Sequence, residues 1–156
     1  MRFGILIIIL TLLSCEQNSN LTNWLKEDPF FNSQNLFSNE RFPNLVISNN
    51  GTLIATWGSS KVVAKRSTDG GRSWGNEIII SDPGFHGGGT LVDELTGNIF
   101  VFVEEGHPIS PIQIYVSNDD GQSWKKHDTR INRDENGNLP SMHMNEHGIT
   151  LSLIHI

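Results

Sequence analysis

The sequence contains one eight-residue phrase twice, and this repeat constrains the fold more than any other feature. The first copy is Ser67–Trp74 (STDGGRSW) and the second is Ser117–Trp124 (SNDDGQSW), so both read S-x-D-x-G-x-S-W. The two copies start 50 positions apart. Self-similarity at a period of about 20–50 residues indicates a stacked or radial architecture. The repeat therefore predicts that one supersecondary unit occurs at least twice in this chain.

Each copy has the chemistry of a turn between two strands. An Asp side chain in a turn accepts hydrogen bonds from nearby backbone N–H groups, and Gly supplies a positive φ without steric cost. The Ser hydroxyls can close further local bonds, and the Trp buries a large apolar surface. We therefore predict a structural role, rather than a catalytic one, for the repeated positions: Ser67, Asp69, Gly71 and Trp74, and then Ser117, Asp119, Gly121 and Trp124.

Short apolar runs separated by turn signals follow Asn44, which is typical of an all-β protein. No sustained helical period follows Cys15. Four antiparallel strands have the size of one β-propeller blade, and a ring needs about four to eight blades. The chain therefore predicts about two blades, as the truncated N-terminal part of a longer propeller. The predicted strands are 45–47, 53–57, 61–66 and 78–80 in the first set, and 90–92, 99–103, 112–116 and 125–131 in the second.

The first 15 residues have the pattern of an export signal. Arg2 supplies a positive start, and Phe3–Leu13 is an apolar run of 11 residues, too short to span a bilayer. Leu12-Leu13-Ser14-Cys15 resembles a bacterial lipobox, in which the Cys becomes lipidated, and Cys15 is the only cysteine. The alternative is an ordinary signal peptide with an incidental Cys.

These features divide the chain into three predicted parts. Residues 1–15 are the lipoprotein signal peptide, 16–39 a polar tether and lead-in, and 40–156 the truncated propeller. We expect an exported bacterial lipoprotein of the cell envelope, on its periplasmic or extracellular face. It would meet the membrane only through a lipid anchor at Cys15.

Charge and composition disfavour nucleic acid as a partner. Among 156 residues, 11 are Lys or Arg and 17 are Asp or Glu, which gives a formal net charge of −6. Nucleic-acid binding needs a basic face. The six His residues are scattered, and no spacing indicates a metal site. The run Gly87–Gly89 lacks the helix and Lys of a phosphate loop, so we predict no cofactor.

The repeated phrase matches the Asp-box, or BNR repeat, of the sialidase (neuraminidase) superfamily. Arg41-Phe42-Pro43 resembles the Arg-Ile-Pro-type motif that opens the catalytic domain of that family, and the resemblance covers about residues 40–151. It implies a six-bladed propeller that releases terminal sialic acid from glycoconjugates. In the family, three Arg residues bind the substrate carboxylate, a Tyr paired with a Glu attacks the sugar, and an Asp is the acid/base. The Tyr nucleophile sets sialidases apart from glycosidases that use two carboxylates.

Arg41 is the one catalytic residue that the resemblance places by motif. Its role would be to bind the substrate carboxylate, which suits a planar guanidinium. Family members carry a second Arg and the acid/base Asp in the loop between the second and third strands of the first blade. That loop is Gly58-Ser59-Ser60 here and has neither residue. The Tyr, its Glu and the third Arg would lie beyond Ile156.

Three groups of residues on predicted loops are candidates for the unassigned acid, because carboxyl and imidazole groups can do general acid work. Taken singly, each of them reads first as an ordinary polar loop residue and only second as an acid. The candidates are His86 in its Gly-rich run, then Glu104, Glu105 and His107, and then Glu146 and His147.

The resemblance therefore implies an exo-α-sialidase-like glycoside hydrolase acting on a sialylated or other glycan. One alternative is a propeller hydrolase for another sugar, with a different acid. The other is a non-catalytic Asp-box propeller that binds carbohydrate or protein, because Asp-boxes also occur outside hydrolases.

Overall fold

The computed structural model describes residues 33–38, 40–106 and 110–139. Contacts between Cα atoms divide the chain into Met1–Asn35 and Leu36–Ile156, and all the strands named below belong to the second unit. The predictions for Cys15, His107, Glu146 and His147 fall outside the described residues. They stay predictions, as do the three predicted parts of the chain.

Eight strands in these residues form two four-stranded antiparallel sheets, and within each sheet the strands are adjacent in chain order. This arrangement confirms the all-β fold class and is that of two successive propeller blades. No helix long and apolar enough to cross a bilayer occurs in the described segments. Sheet 1 consists of β1 (Asn44–Ile47), β2 (Leu53–Trp57), β3 (Val62–Ser67) and β4 (Ile78–Ser81), and sheet 2 of β5 (Thr90–Val92), β6 (Ile99–Glu104), β7 (Ile112–Ser117) and β8 (Lys125–Lys126).

The last strand is shorter than predicted. Only Lys125–Lys126 pairs with β7, instead of 125–131, and the His127 N–H closes the ladder on the Ile114 carbonyl at 2.7 Å. Residues 127–130 are exposed and polar, so this edge of the sheet offers no apolar face that would continue the pairing.

The main core lies between the two sheets. Successive side chains of a strand point to opposite faces, so alternate residues of β2 and β6 face inward. Ile54 on β2 and Ile99, Val101 and Val103 on β6 are almost completely buried. The rest of this cluster comes from β3 and β4, namely Val62, Ala64 and Ile80.

The other face of sheet 1 has a second, smaller apolar cluster. Ala55, Trp57 and Val63 form it, and the segment before β1 covers part of it. The Phe37 ring stacks on Trp57 with 4.4 Å between centroids and 15° between planes. Lys65 Nζ donates to the Leu36 carbonyl at 2.8 Å, which holds that segment against β3.

The connections of an antiparallel meander alternate between two ends of the molecule. We call one end the Arg41 end, where Arg41–Pro43 leads into β1. The β2–β3 loop (58–61) and the β4–β5 connector (82–89) also lie there. The opposite end has the two repeated loops, which follow β3 and β7, and we call it the Asp-box end.

Candidate functional site

The first repeated loop is closed by its own side chains. Asp69 Oδ1 accepts from the Ser67 hydroxyl at 2.8 Å and from the Ser73 N–H at 2.9 Å. Asp69 Oδ2 accepts from the Ser73 hydroxyl at 2.5 Å, and Ser67 Oγ accepts from the Gly71 N–H at 2.8 Å. The bonds from Ser73 and Ser67 lower the pKa of Asp69 to about 2, because they stabilise the carboxylate. A carboxylate committed in this way closes a turn and is a poor proton donor.

The second repeated loop has the same network. Asp119 accepts from Ser117 Oγ at 2.7 Å, from Ser123 N at 2.9 Å and from Ser123 Oγ at 2.5 Å. The Gly121 N–H donates to Ser117 Oγ at 2.8 Å. Burial acts to raise the pKa of Asp119, but the bonds from Ser123 and Ser117 outweigh it and the pKa is lowered. The same four hydrogen bonds therefore close both loops.

One position distinguishes the two loops. Gly70 in the first corresponds to Asp120 in the second, and both have a positive φ, of 71° and 63°. Asp120 reaches across to sheet 1, where its Oδ2 accepts from Thr52 Oγ1 at 2.6 Å and from Arg66 Nη2 at 2.7 Å. The Arg66 Nε–H also donates to the Asp120 carbonyl at 2.6 Å. The second loop thus ties the two sheets together.

At the other end, Arg41 lies on the surface immediately before β1. Its side chain is exposed, and its guanidinium carbon is 4.8 Å from the centroid of the Phe42 ring. Phe42 has a φ of 60°, a left-handed conformation that is rare for an aromatic residue. The Phe42 ring packs on Phe85 with centroids 4.7 Å apart.

The β2–β3 loop lies beside the Arg41 backbone. The Gly58 N–H donates to the Arg41 carbonyl at 3.3 Å. Glu40 Oε2 accepts from the Ser59 N–H at 3.2 Å and from the Ser59 hydroxyl at 3.0 Å. A carboxylate from the preceding chain segment therefore lies at the loop that has no acidic residue of its own.

His86 is a buried residue of the β4–β5 connector, with 2% of its surface exposed. Its Nδ1 is 2.8 Å from the Phe42 carbonyl, and its Nε2 is 3.2 Å from Thr56 Oγ1 and 3.3 Å from Thr90 Oγ1. Burial lowers the pKa of His86 to about 4, although the Phe42 carbonyl acts in the opposite direction. Because the imidazole is neutral and both of its nitrogens are hydrogen-bonded within the protein, it cannot donate a proton to a ligand in this conformation.

Glu104 and Glu105 end β6 at the Arg41 end. Glu104 is buried, and its backbone exchanges hydrogen bonds with Phe85 at 2.8 and 2.9 Å. Glu105 is exposed and accepts a hydrogen bond from the Gln113 side-chain amide.

The structure therefore places Arg41, His86 and the Glu104–Glu105 pair at one end, and the eight repeated positions at the other. Sequence reasoning missed Glu40, whose only signal was its place directly before Arg41. It also missed the Thr56 and Thr90 hydroxyls, because they come from strands of different sheets. Within the described segments, no three His, Cys, Asp or Glu side chains cluster closely enough to hold a metal ion.

No protein-family model matches the chain. A sialidase from Micromonospora viridifaciens is 32% identical over 96 residues, which is 51% of this chain. The aligned part spans 15% of the length of that sialidase.

Two solved structures resemble the fold. The Hadza microbial sialidase Hz136 is 28% identical with a TM-score of 0.42, over 55% of this chain and 25% of that one. A protein of unknown function from Dyadobacter fermentans DSM 18053 is 17% identical with a TM-score of 0.48, over 60% of this chain and 37% of that one. The 32% sequence identity to the Micromonospora protein is the stronger evidence. It shows that about half of this chain is sialidase-like.

Proposed function

We propose that the protein is an exo-α-sialidase-like glycoside hydrolase that releases terminal sialic acid from glycoconjugates. Arg41 would bind the carboxylate of the sugar. The observation that carries this proposal is the 32% identity to a sialidase over a stretch of 96 residues. The exposed position of Arg41, at the end opposite the Asp-boxes, supports it.

The chemistry of the ligand also favours Arg41. A sialic acid differs from neutral sugars by its own carboxylate, and a planar guanidinium binds a carboxylate through two parallel hydrogen bonds. Packing of the guanidinium over the Phe42 ring limits the directions that it can take. A side chain restricted in this way loses less conformational entropy when a ligand binds.

Glu40 is our candidate for the acid that the β2–β3 loop lacks. Its carboxylate is held by Ser59 at that loop and belongs to the residue adjacent to Arg41. In this proposal Glu40 would supply the acid next in sequence to the residue that binds the sugar carboxylate, and no Asp in the loop would be needed. The second candidate function is a hydrolase for another sugar, because residues 58–61 lack that Asp. Glu40 would have the same role in such an enzyme.

The test is turnover of a fluorogenic sialoside by the full-length protein. We expect Arg41→Ala to lower kcat/KM about a hundredfold, mainly through KM, because a charge-assisted contact is lost. Glu40→Gln should lower kcat and remove one limb of the pH–rate profile, because an amide cannot transfer the proton.

Arg72→Ala and Glu77→Gln are the matched controls. Arg72 lies in the first Asp-box loop, where it donates to the Asp69 carbonyl, and Glu77 forms an exposed pair with Lys61. Both should turn over the substrate like the wild type. Absence of turnover by the wild type would refute the sialidase proposal, and turnover unaffected by Arg41→Ala would refute the role of Arg41.

A further inference from the structure

The hydrogen bonds of His86 define its tautomer. The Phe42 carbonyl can only accept, so the Nδ1 atom 2.8 Å away carries the proton. In a neutral imidazole, Nε2 then has the lone pair and accepts from one of the two threonine hydroxyls. Thr56 Oγ1 and Thr90 Oγ1 are 2.5 Å apart, so the second hydroxyl donates to the first. Every polar atom of this buried group has a partner.

The same histidine connects the chain segments of the Arg41 end. The backbone N–H of His86 donates to the Gly58 carbonyl at 2.9 Å, and the backbone N–H of Gly58 donates to the Arg41 carbonyl at 3.3 Å. Thr56 belongs to sheet 1 and Thr90 to sheet 2. His86 is therefore anchored to both sheets, and the segment around Arg41 is attached to it.

Phe42 is the residue on which this anchoring acts. A left-handed conformation is unfavourable for a non-glycine residue and persists only where the surroundings enforce it. Here the bond from His86 Nδ1 fixes the Phe42 carbonyl, and Phe85 holds the ring. Arg41 directly precedes Phe42, and its guanidinium carbon lies 4.8 Å from the centroid of the same ring, so a change in the Phe42 conformation would move the ring that the guanidinium contacts.

We propose that His86 is a positioning residue, which holds the Phe42 peptide in its left-handed conformation and so orients Arg41 towards a ligand carboxylate. The ligand part of this inference rests on the proposed function. A plain core histidine would fill the same volume and stabilise the fold, with no selective effect on Arg41.

The first experiment needs no substrate. Nitrogen-15 NMR of the full-length protein at pH 7 should show His86 as the neutral tautomer protonated at Nδ1. In His86→Leu, the Nε–H signal of Arg41 should shift, because the Phe42 peptide is released. In His86→Asn it should return towards the wild-type position, because the amide can still donate to the Phe42 carbonyl. A His86 protonated at Nε2, or an Arg41 signal unchanged in His86→Leu, would overturn the proposal.

The second experiment is a double-mutant cycle on sialoside turnover. We expect His86→Leu to raise KM about tenfold in the wild-type background and less than about twofold in Arg41→Ala, because the effect acts through Arg41. His86→Asn should recover most of the loss. Equal effects in both backgrounds, or a fall in active fraction with KM unchanged, would show a merely structural role.

The two experiments separate the two proposals. If the wild type turns over no sialoside but the NMR signals behave as expected, the proposed function fails and the positioning of Arg41 by His86 stands. If turnover depends on Arg41 but not on His86, the function stands and the positioning role fails.

Discussion

At the scale of single residues, the Asp-box carboxylates show how a polar side chain can do structural work at the surface. Asp69 accepts three hydrogen bonds from Ser67 and Ser73 within its own loop, and Asp119 does the same in the second copy. The loops need no partner from elsewhere to close. This self-sufficiency explains why the same residues recur at a fixed spacing.

The lowered pKa of Asp69 predicts a specific loss of stability in acid. The pKa of Asp69 in the folded protein is about 2, below the ordinary 3.8. Its contribution to the free energy of unfolding is therefore complete above about pH 4 and is lost as the pH falls towards 2. Urea unfolding at pH 5 and pH 2.5 should show a smaller acid loss for Asp69→Asn than for the wild type. Thr68→Ala, in the same loop, should keep the wild-type difference. Identical acid losses in all three proteins would contradict this account.

At the scale of elements, the conformation of one glycine defines the β2–β3 loop. Gly58 has a φ of 145°, and a Cβ added there would lie 1.8 Å from the Lys61 carbonyl oxygen. The loop could not keep this path with any side chain at position 58. Its tight course brings Ser59 to Glu40 and the Gly58 N–H to Arg41.

Two glycine substitutions separate steric overlap from backbone strain. Gly58→Ala should cost several times more stability than Gly51→Ala, because Gly51 has a φ of 81° but no atom within 4 Å of an added Cβ. The Gly51 variant should lose about 1 kcal/mol, the ordinary cost of a left-handed alanine. Thermal melts measure both. A Gly58→Ala protein as stable as Gly51→Ala would show that the loop can rearrange.

The tie between the sheets is also an element-scale feature. The side chains of Arg66 and Asp120 are 20% and 15% exposed, whereas those of the Lys61–Glu77 pair are 41% and 40% exposed. Asp120→Asn keeps the shape and the tolerance for positive φ but loses the charge. We expect it to cost about 1–3 kcal/mol, because it weakens a charged, half-buried network.

Glu77→Gln is the control for this tie, with an expected cost below about 1 kcal/mol because its ion pair is largely exposed. Urea unfolding checks both values. Equal costs would mean that Asp120 contributes no more than a surface pair.

At the scale of the whole molecule, one face of sheet 1 remains largely open. Leu45, Ile47 and Ile79 are 52%, 62% and 59% exposed. All three lie on the same face as Trp57, because Leu45 pairs with Ala55, Ile47 with Leu53, and Ile79 with Val63. A propeller blade packs on both faces, so a closed ring would cover this surface with another blade.

The apolar character of this face predicts how the protein responds to a charge placed on it. Ile79→Lys should cost about 2 kcal/mol or more if another blade covers the face, because a charge would be buried there. Leu95→Lys is the control, since Leu95 is 82% exposed in the β5–β6 turn. Its effect should stay within about 0.5 kcal/mol, as is usual for a surface change. If Ile79→Lys is equally mild, the face is open in solution.

The sequence alone determined the local structure. Alternating apolar runs and turn residues located the strands, and seven of the eight predicted strands agree with the structure to within a residue or two. Both signals act between near neighbours along the chain, which is why they can be read without a fold. The predicted length of the last strand, 125–131, was wrong. Pairing there depends on an apolar face that residues 127–130 do not offer.

The surroundings of Arg41 depend on contacts between residues that are far apart in sequence. Glu40 meets Ser59 across 19 positions of sequence, His86 meets Phe42 across 44, and Thr56 meets Thr90 across 34. No local pattern encodes such contacts, because they arise when two sheets pack and their connections converge at one end. The burial that keeps His86 neutral is likewise a property of the packed sheets and not of its glycine-rich neighbours in sequence.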